Sequence, residues 1–214
     1  MSLSDWLALL QGAAFTVGLS LAAVAIGLPV GLALALVRWA GVPVLAPAVA
    51  VLVSVLRAAP AVTLALLVFF ALPSAGLSLD RLPAAIITLT LSTAAFNCEI
   101  WRAALLALPR DQMDAAMAVG MRRGLRFRRI VLPQVTRAAL PALVSEVTIL
   151  VKVSPAIAVL GVVDITRAAV RIGAQTYDPL PPFMAALAIY SLIVFGFIRL
   201  QRAVEGRLTA GRPA

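Results

Sequence analysis

Histidine is absent from all 214 residues, which removes Ser-His-Asp and Cys-His nucleophilic sites and any histidine-ligated metal. Cysteine occurs once, as Cys98 within an apolar stretch, so no disulfide framework can form inside the chain and the thiol reads as a small core residue. Lysine also occurs once. Lys152 lies in ILVKVSPA, without the glycines of a GxxxxGK[ST] loop, so the chain has no backbone cradle for the phosphates of ATP and is not expected to hydrolyse it. Acids number only nine, and no two fall at catalytic spacing on one predicted helix face, which leaves an enzyme built on a carboxylate pair unsupported. The ten-residue polar/apolar alternation of a membrane β-barrel is missing as well.

What is present is apolar. The chain is 63% hydrophobic and 13% charged, with a mean hydropathy of +1.05, a composition that places it in a membrane rather than in water. Glycine and proline are scattered through the apolar runs, as spanning helices tolerate. The expected fold is all-α: a single transmembrane domain over residues 1–214, with spans at 12–37, 44–72, 83–106, 141–163 and 182–200. A straight helix over 44–72 runs roughly 40 Å, too long for one crossing, and Pro60 is the expected break. The N-terminal MSLSDWLALLQ carries Asp5 and no basic residue, so a cleaved signal peptide is not expected and the first span stays in the mature protein.

The net charge of +9 is no nucleic-acid signature, because the basic residues gather at the edges of apolar runs. Arg38, the eight arginines from Arg102 to Arg137, and Arg199, Arg202, Arg207 and Arg212 fall on one side; Arg81, Arg167 and Arg171 fall on the other. The positive-inside rule then makes the thirteen cytoplasmic, puts the N-terminus outside and the C-terminus inside, and requires an odd number of spans. No inverted repeat is visible, which disfavours a self-contained secondary transporter.

Residues 110–134 (RDQMDAAMAVGMRRGLRFRRIVLPQ) form the one long stretch too charged for lipid, inside a cytoplasmic loop at 107–137. It reads as two small helices joined at Gly120. Asp111 is placed to cap the first, with Asp114 near its positive end. Ala115 and Ala116 offer a small surface, Met113 and Met117 an apolar stripe, and Gly120 the left-handed turn that ends the helix. The second piece, 121–131, carries Arg122, Arg123, Arg126, Arg128 and Arg129, suited to the lipid surface or an acidic partner. A docking element and a connector lying on the membrane fit this pattern equally well.

The order DAAMAVGMRRGLRFRRIVLPQ resembles the EAA loop of ABC importer permeases: an acid, two alanines, a glycine four residues later and an apolar-Leu-Pro stop, here Asp114, Ala115, Ala116, Gly120 and Ile130-Val131-Leu132-Pro133. Gln134, Arg57-Ala58-Ala59-Pro60, Ala95-Phe96-Asn97-Cys98-Glu99-Ile100 and Lys152 are similar to the polar amino acid (histidine, glutamine, arginine) uptake branch. Asp114 stands for the usual Glu, Ala58-Ala59 for Gly-Thr, and Val153-Ser154-Pro155 departs from the polar run after the lysine. The resemblance implies a permease of the bacterial inner membrane that pairs with a second permease copy or paralogue, an ABC ATPase dimer and an extracytoplasmic solute-binding protein. It also implies that Asp114, Ala115, Ala116, Met117 and Gly120 dock the ATPase. No cofactor is expected in this chain, ATP and Mg being used by the partner.

Ionisable groups inside spans each cost a few kcal/mol, about 3 on insertion scales, and call for a partner or a task. Lys152, about 11 residues into its span and so near the midplane, needs a group on another helix or a ligand carboxylate, since Glu146 lies six residues earlier on a different face. Glu99 and Arg102 can pair along one face; Glu99 with Asn97 can also accept a substrate cation. Arg57, before the Pro60 break, can meet a substrate carboxylate. Arg57, Asn97, Glu99, Glu146 and Lys152 are therefore the candidate pathway residues. The competing reading is a membrane scaffold or regulatory subunit that docks a cytoplasmic partner and forms no pathway.

Overall fold

The computed structural model describes residues 1–74 and 76–209; Arg212 and the side chain of Arg207, counted above, lie outside them. The described residues are helical throughout, with no strand among them. Helix α1 (Leu3–Trp39) opens on a capping box in which the Ser2 hydroxyl accepts from the Asp5 N–H and the Asp5 carboxylate accepts from the Ser2 N–H. Next come α2 (Leu45–Ala58) and α3 (Ala61–Ser74). Ala59 between them is extended, as the residue before a proline prefers, and the two axes turn by 114° at Pro60. Helix α4 (Arg81–Leu106) is followed by the short α5 (Arg110–Ala118), α6 (Arg123–Arg126), a π-helical turn at Phe127–Val131, α7 (Leu132–Val153), a 3-10 turn at Ser154–Leu160, α8 (Ile165–Thr176) and α9 (Leu180–Thr209). Four of these stretches are long and apolar enough to cross a membrane, or five where the bent α2–α3 pair counts as one.

Helices α1 and α4 are pressed together along glycines. A Cβ at Gly31 meets the Asn97 Cβ at 2.7 Å and the Ala94 carbonyl oxygen at 2.9 Å, and one at Gly27 runs into the Thr93 side chain. Because 27 meets 93 and 31 meets 97, the two helices run the same way, and the chain between them must return from one end of the bundle to the other. The break at Pro60 divides that return. Val49 and Val53 of α2 share a core with Ala35, Trp101, Leu105 and Val135, whereas Leu64, Ala65 and Val68 of α3 pack with Ala84, Leu89 and Leu150. Helix α7 runs against α4, with Val131 and Val135 near Leu105 and Leu150 near Ala84 and Ala85. A third core joins Leu9 of α1 to α8 and to Ala185, Ala186 and Ile189 of α9. Much of the outer surface is apolar, with Leu187, Leu192, Phe195 and Leu200 of α9 all exposed, as lipid-facing helices require.

Two expectations are corrected. Residues 121–131 are no separate small helix: α6, the π turn and α7 form one continuous rod through Pro133. Proline has no N–H and its ring crowds the carbonyl four residues back, and the wider turn absorbs this, the Leu132 N–H donating to the Phe127 carbonyl five residues earlier. The fourth apolar helix accordingly begins well before 141, with Pro141 inside it, and Lys152 falls in the last turn of α7 rather than midway.

Candidate functional site

Helix α5 sits at the arginine-rich end of the bundle. Pro109, not Asp111, occupies its N-cap position, and no side chain caps it; Asp111 lies in the first turn, where its charge still meets the positive helix end. Val119 and Gly120 close it: the Gly120 N–H donates to Met117, the Met121 N–H to Ala116, and Gly120 takes φ +73° in open space. Met113 and Ala116 turn inward, Ala116 to 3% exposure, while Asp114, Ala115, Met117 and Gly120 are exposed. Ala116 is thus covered by this chain itself, Met113 packs against the core of the spans, and the expected Met113–Met117 stripe is split between the two faces. One polar bond ties the helix to the next span, Gln134 Nε2 donating to Gln112 Oε1 at 2.6 Å.

The second group lies among the spans. Arg57, in the last turn of α2, is exposed and holds its guanidinium 5.2 Å from the Phe96 ring of α4. Its charge also acts on Glu146 of α7, which is buried to 5% exposure and has no ion-pair or hydrogen-bond partner among the described residues. Helix break and aromatic face therefore meet, with the buried carboxylate near enough to feel the guanidinium charge but not in contact with it. Lys152, six residues further along α7, is exposed and likewise unpaired among the described residues.

Asn97 and Glu99 point elsewhere. Asn97 is buried against Gly31, with Nδ2 donating to Thr93 Oγ1 at 3.3 Å and its Oδ1 without a partner among the described residues. Glu99 pairs with Arg102 at 2.9 Å, as spacing anticipated, and also with Arg38 at the end of α1. Arg38 and Phe96 escaped sequence reasoning as site residues. Sixty-one positions separate Arg38 from Glu99, and only the parallel packing of α1 and α4 brings them together. The structure thus sets Arg57 on Phe96 with its charge felt at Glu146, and pairs Glu99 with Arg38 and Arg102 instead.

The opposite end carries one buried acid. Asp164, 0% exposed, caps α8 by accepting from the Arg167 N–H at 2.8 Å and accepts from the Tyr190 hydroxyl at 3.3 Å, while the Ile165 N–H donates to Thr16. Burial pushes its carboxyl above the usual aspartate range, against the opposing pull of these hydrogen bonds.

A short helix held at the arginine-rich end between two long apolar helices defines a class: multi-span membrane proteins that carry a polar helix outside the apolar bundle. The chain belongs to the family of binding-protein-dependent transport system inner membrane components, which residues 27–210 match. It is 36% identical over 133 residues to the arginine transport system permease protein ArtQ of Bacillus subtilis (strain 168), covering 62% of this chain and 61% of that one. Over 124 residues it is 40% identical to the octopine transport system permease protein OccM of Rhizobium meliloti, covering 58% and 51%. The chain thus spans between half and about three fifths of the length of these relatives. Among solved structures, a crystal structure of an amino acid ABC transporter with histidines superposes with a TM-score of 0.86 at 29% identity over 94% of both chains. An inward-facing MetNI methionine ABC transporter superposes with a TM-score of 0.67 at 25% identity, covering 95% of this chain and 99% of that one.

Proposed function

We propose that the chain is the permease subunit of an ATP-binding cassette importer for a polar amino acid or a related small solute. The observation that carries this reading is helix α5, which seats Met113 and Ala116 in its own protein and leaves Asp114, Ala115 and Met117 open to a partner, in a chain of this family. In this reading residues 1–214 form one permease domain and 107–137 its coupling loop. The partner is an ATPase dimer that consumes ATP and Mg, and the pathway is completed by a second permease copy or paralogue and fed by an extracytoplasmic solute-binding protein, with lipid around the rest.

Five crossings are favoured over four because α1 and α4 run the same way, so that α2 and α3 together cross once. Placing the basic end in the cytoplasm then puts the N-terminus outside and the C-terminus inside. Within the pathway, Arg57 beside Phe96 and Glu146 is the group suited to a solute carboxylate, and Lys152 is a second free cation further out; Asn97 and Glu99 are assigned instead to holding α1 against α4. A buried Glu146 with no partner among the described residues has no use in a scaffold, where it would cost about 3 kcal/mol. Co-purification tests the reading: the cognate ATPase binds the wild-type chain, and Asp114→Arg abolishes both binding and uptake. Solute flux through the chain without any ATPase overturns it.

A further inference from the structure

We infer that Gln112 and Gln134 form a strut that makes α7, rather than α4, the helix moved by displacement of α5; the inference rests on the coupling role proposed for α5. Nine residues are too few for a helix to stand alone in water, so the position of α5 is set by its attachments. Three are present. On the α4 side the chain passes through Ala107 and Pro109, with no side-chain cap holding α5 at that junction. Beneath it, Met113 rests against the core containing Trp101, Leu105, Val131 and Val135, and Ala116, three residues on in sequence, is buried, an apolar seat that resists lifting but has no directional bond to resist sliding. The third is the Gln134–Gln112 bond, which spans 22 residues of sequence and fixes the register of α5 along the root of α7. A hydrogen bond is directional where apolar contact is not, so this bond transmits movement along the seat.

What it pulls on is stiff. Gln134 lies just past the π turn in the continuous rod α6–α7, and the same rod carries Glu146 and Lys152. The tight turn at Gly120, closed by the Met121 N–H to Ala116 bond, joins the other end of α5 to the start of that rod at Arg123. Helix α5 is thus fastened to α7 at both of its ends and to α4 at one.

The test uses the full complex with its ATPase in nanodiscs. Spin labels are placed on Ala40→Cys beyond α1 and Arg137→Cys on α7, both exposed, while Cys98 is buried; a singly labelled control for each site accounts for its background. ATP with vanadate is expected to shift the Ala40–Arg137 distance in the otherwise unaltered chain. Gln134→Ala is expected to lose most of that shift while the ATPase stays bound, and the pair Gln112→Glu with Gln134→Lys to recover it through a charged version of the same bond. No shift in the parent chain, an undiminished shift in Gln134→Ala, or failure of the charged pair to recover it overturns the strut. Loss of the coupling reading itself shows differently, as ATPase binding that survives Asp114→Arg.

Discussion

Glycines on one face of α1 set how near α4 can come, and their effect is steric. A methyl group at Gly31 must share space with the Asn97 Cβ and with backbone atoms of α4 at 2.9–3.0 Å, none of which can rotate away. Gly31→Ala is therefore expected to lower stability by about 1–3 kcal/mol, the usual cost of overpacking, read as a fall in the melting temperature of the detergent-purified protein. Gly18→Ala is the control: its Cβ meets nothing within 4 Å, so it should leave the melting temperature unchanged or slightly raised. Sequence spacing identified the Glu99–Arg102 pair because both residues lie on one helix. It could not reveal Arg38 as the third member, since a partner 61 residues away is visible only once two helices are known to be parallel. The same limit hid the stacking of Arg57 on Phe96 and the reach of its charge to Glu146, residues of three different helices.

At the scale of an element, the existence of α5 and the turn after it were legible, because the glycine acts locally, while its cap and its inward face were not. Gly120 takes φ +73° with no neighbour within 4 Å, so only backbone strain opposes a side chain there. Gly120→Ala is expected to cost about 1–2 kcal/mol and Gly120→Asn less, since asparagine tolerates the left-handed region. Measured as ATPase retained on the permease, the order should be Gly, then Asn, then Ala; equal retention in all three sinks the claim that the turn positions α5. The π turn was not legible. Pro133 signals a helix stop by its missing N–H, yet packing of Val131 and Val135 on both sides of it holds the rod together, and the wider turn relieves the clash. Which alanine of the pair faces inward was hidden for a related reason: neighbouring residues of the same type have no periodicity until the helix is seated.

For the whole molecule, composition sufficed for the helices and their apolar character; charge asymmetry proposes an orientation, and the path of α2 and α3 is a matter of tertiary packing. Single cysteines with a membrane-impermeant maleimide check it. Ser2→Cys and Ser78→Cys should label in intact spheroplasts, and Ala40→Cys and Gly124→Cys only after permeabilisation. Labelling of Ala40→Cys and Ser78→Cys from the same side would mean that the bent pair re-enters instead of crossing, and reversal of all four would invert the orientation. The close contact of α1 with α4 has a further consequence, for assembly in time. Gly31 and Asn97 are separated by 66 positions, and the broken pair must already be inserted before they can meet. Each helix can enter the bilayer alone, but this contact forms only afterwards, when inserted helices associate. Defects at Gly27 or Gly31 should therefore leave newly made chains fully membrane-integrated yet open to proteolysis, a failure of ripening rather than of insertion.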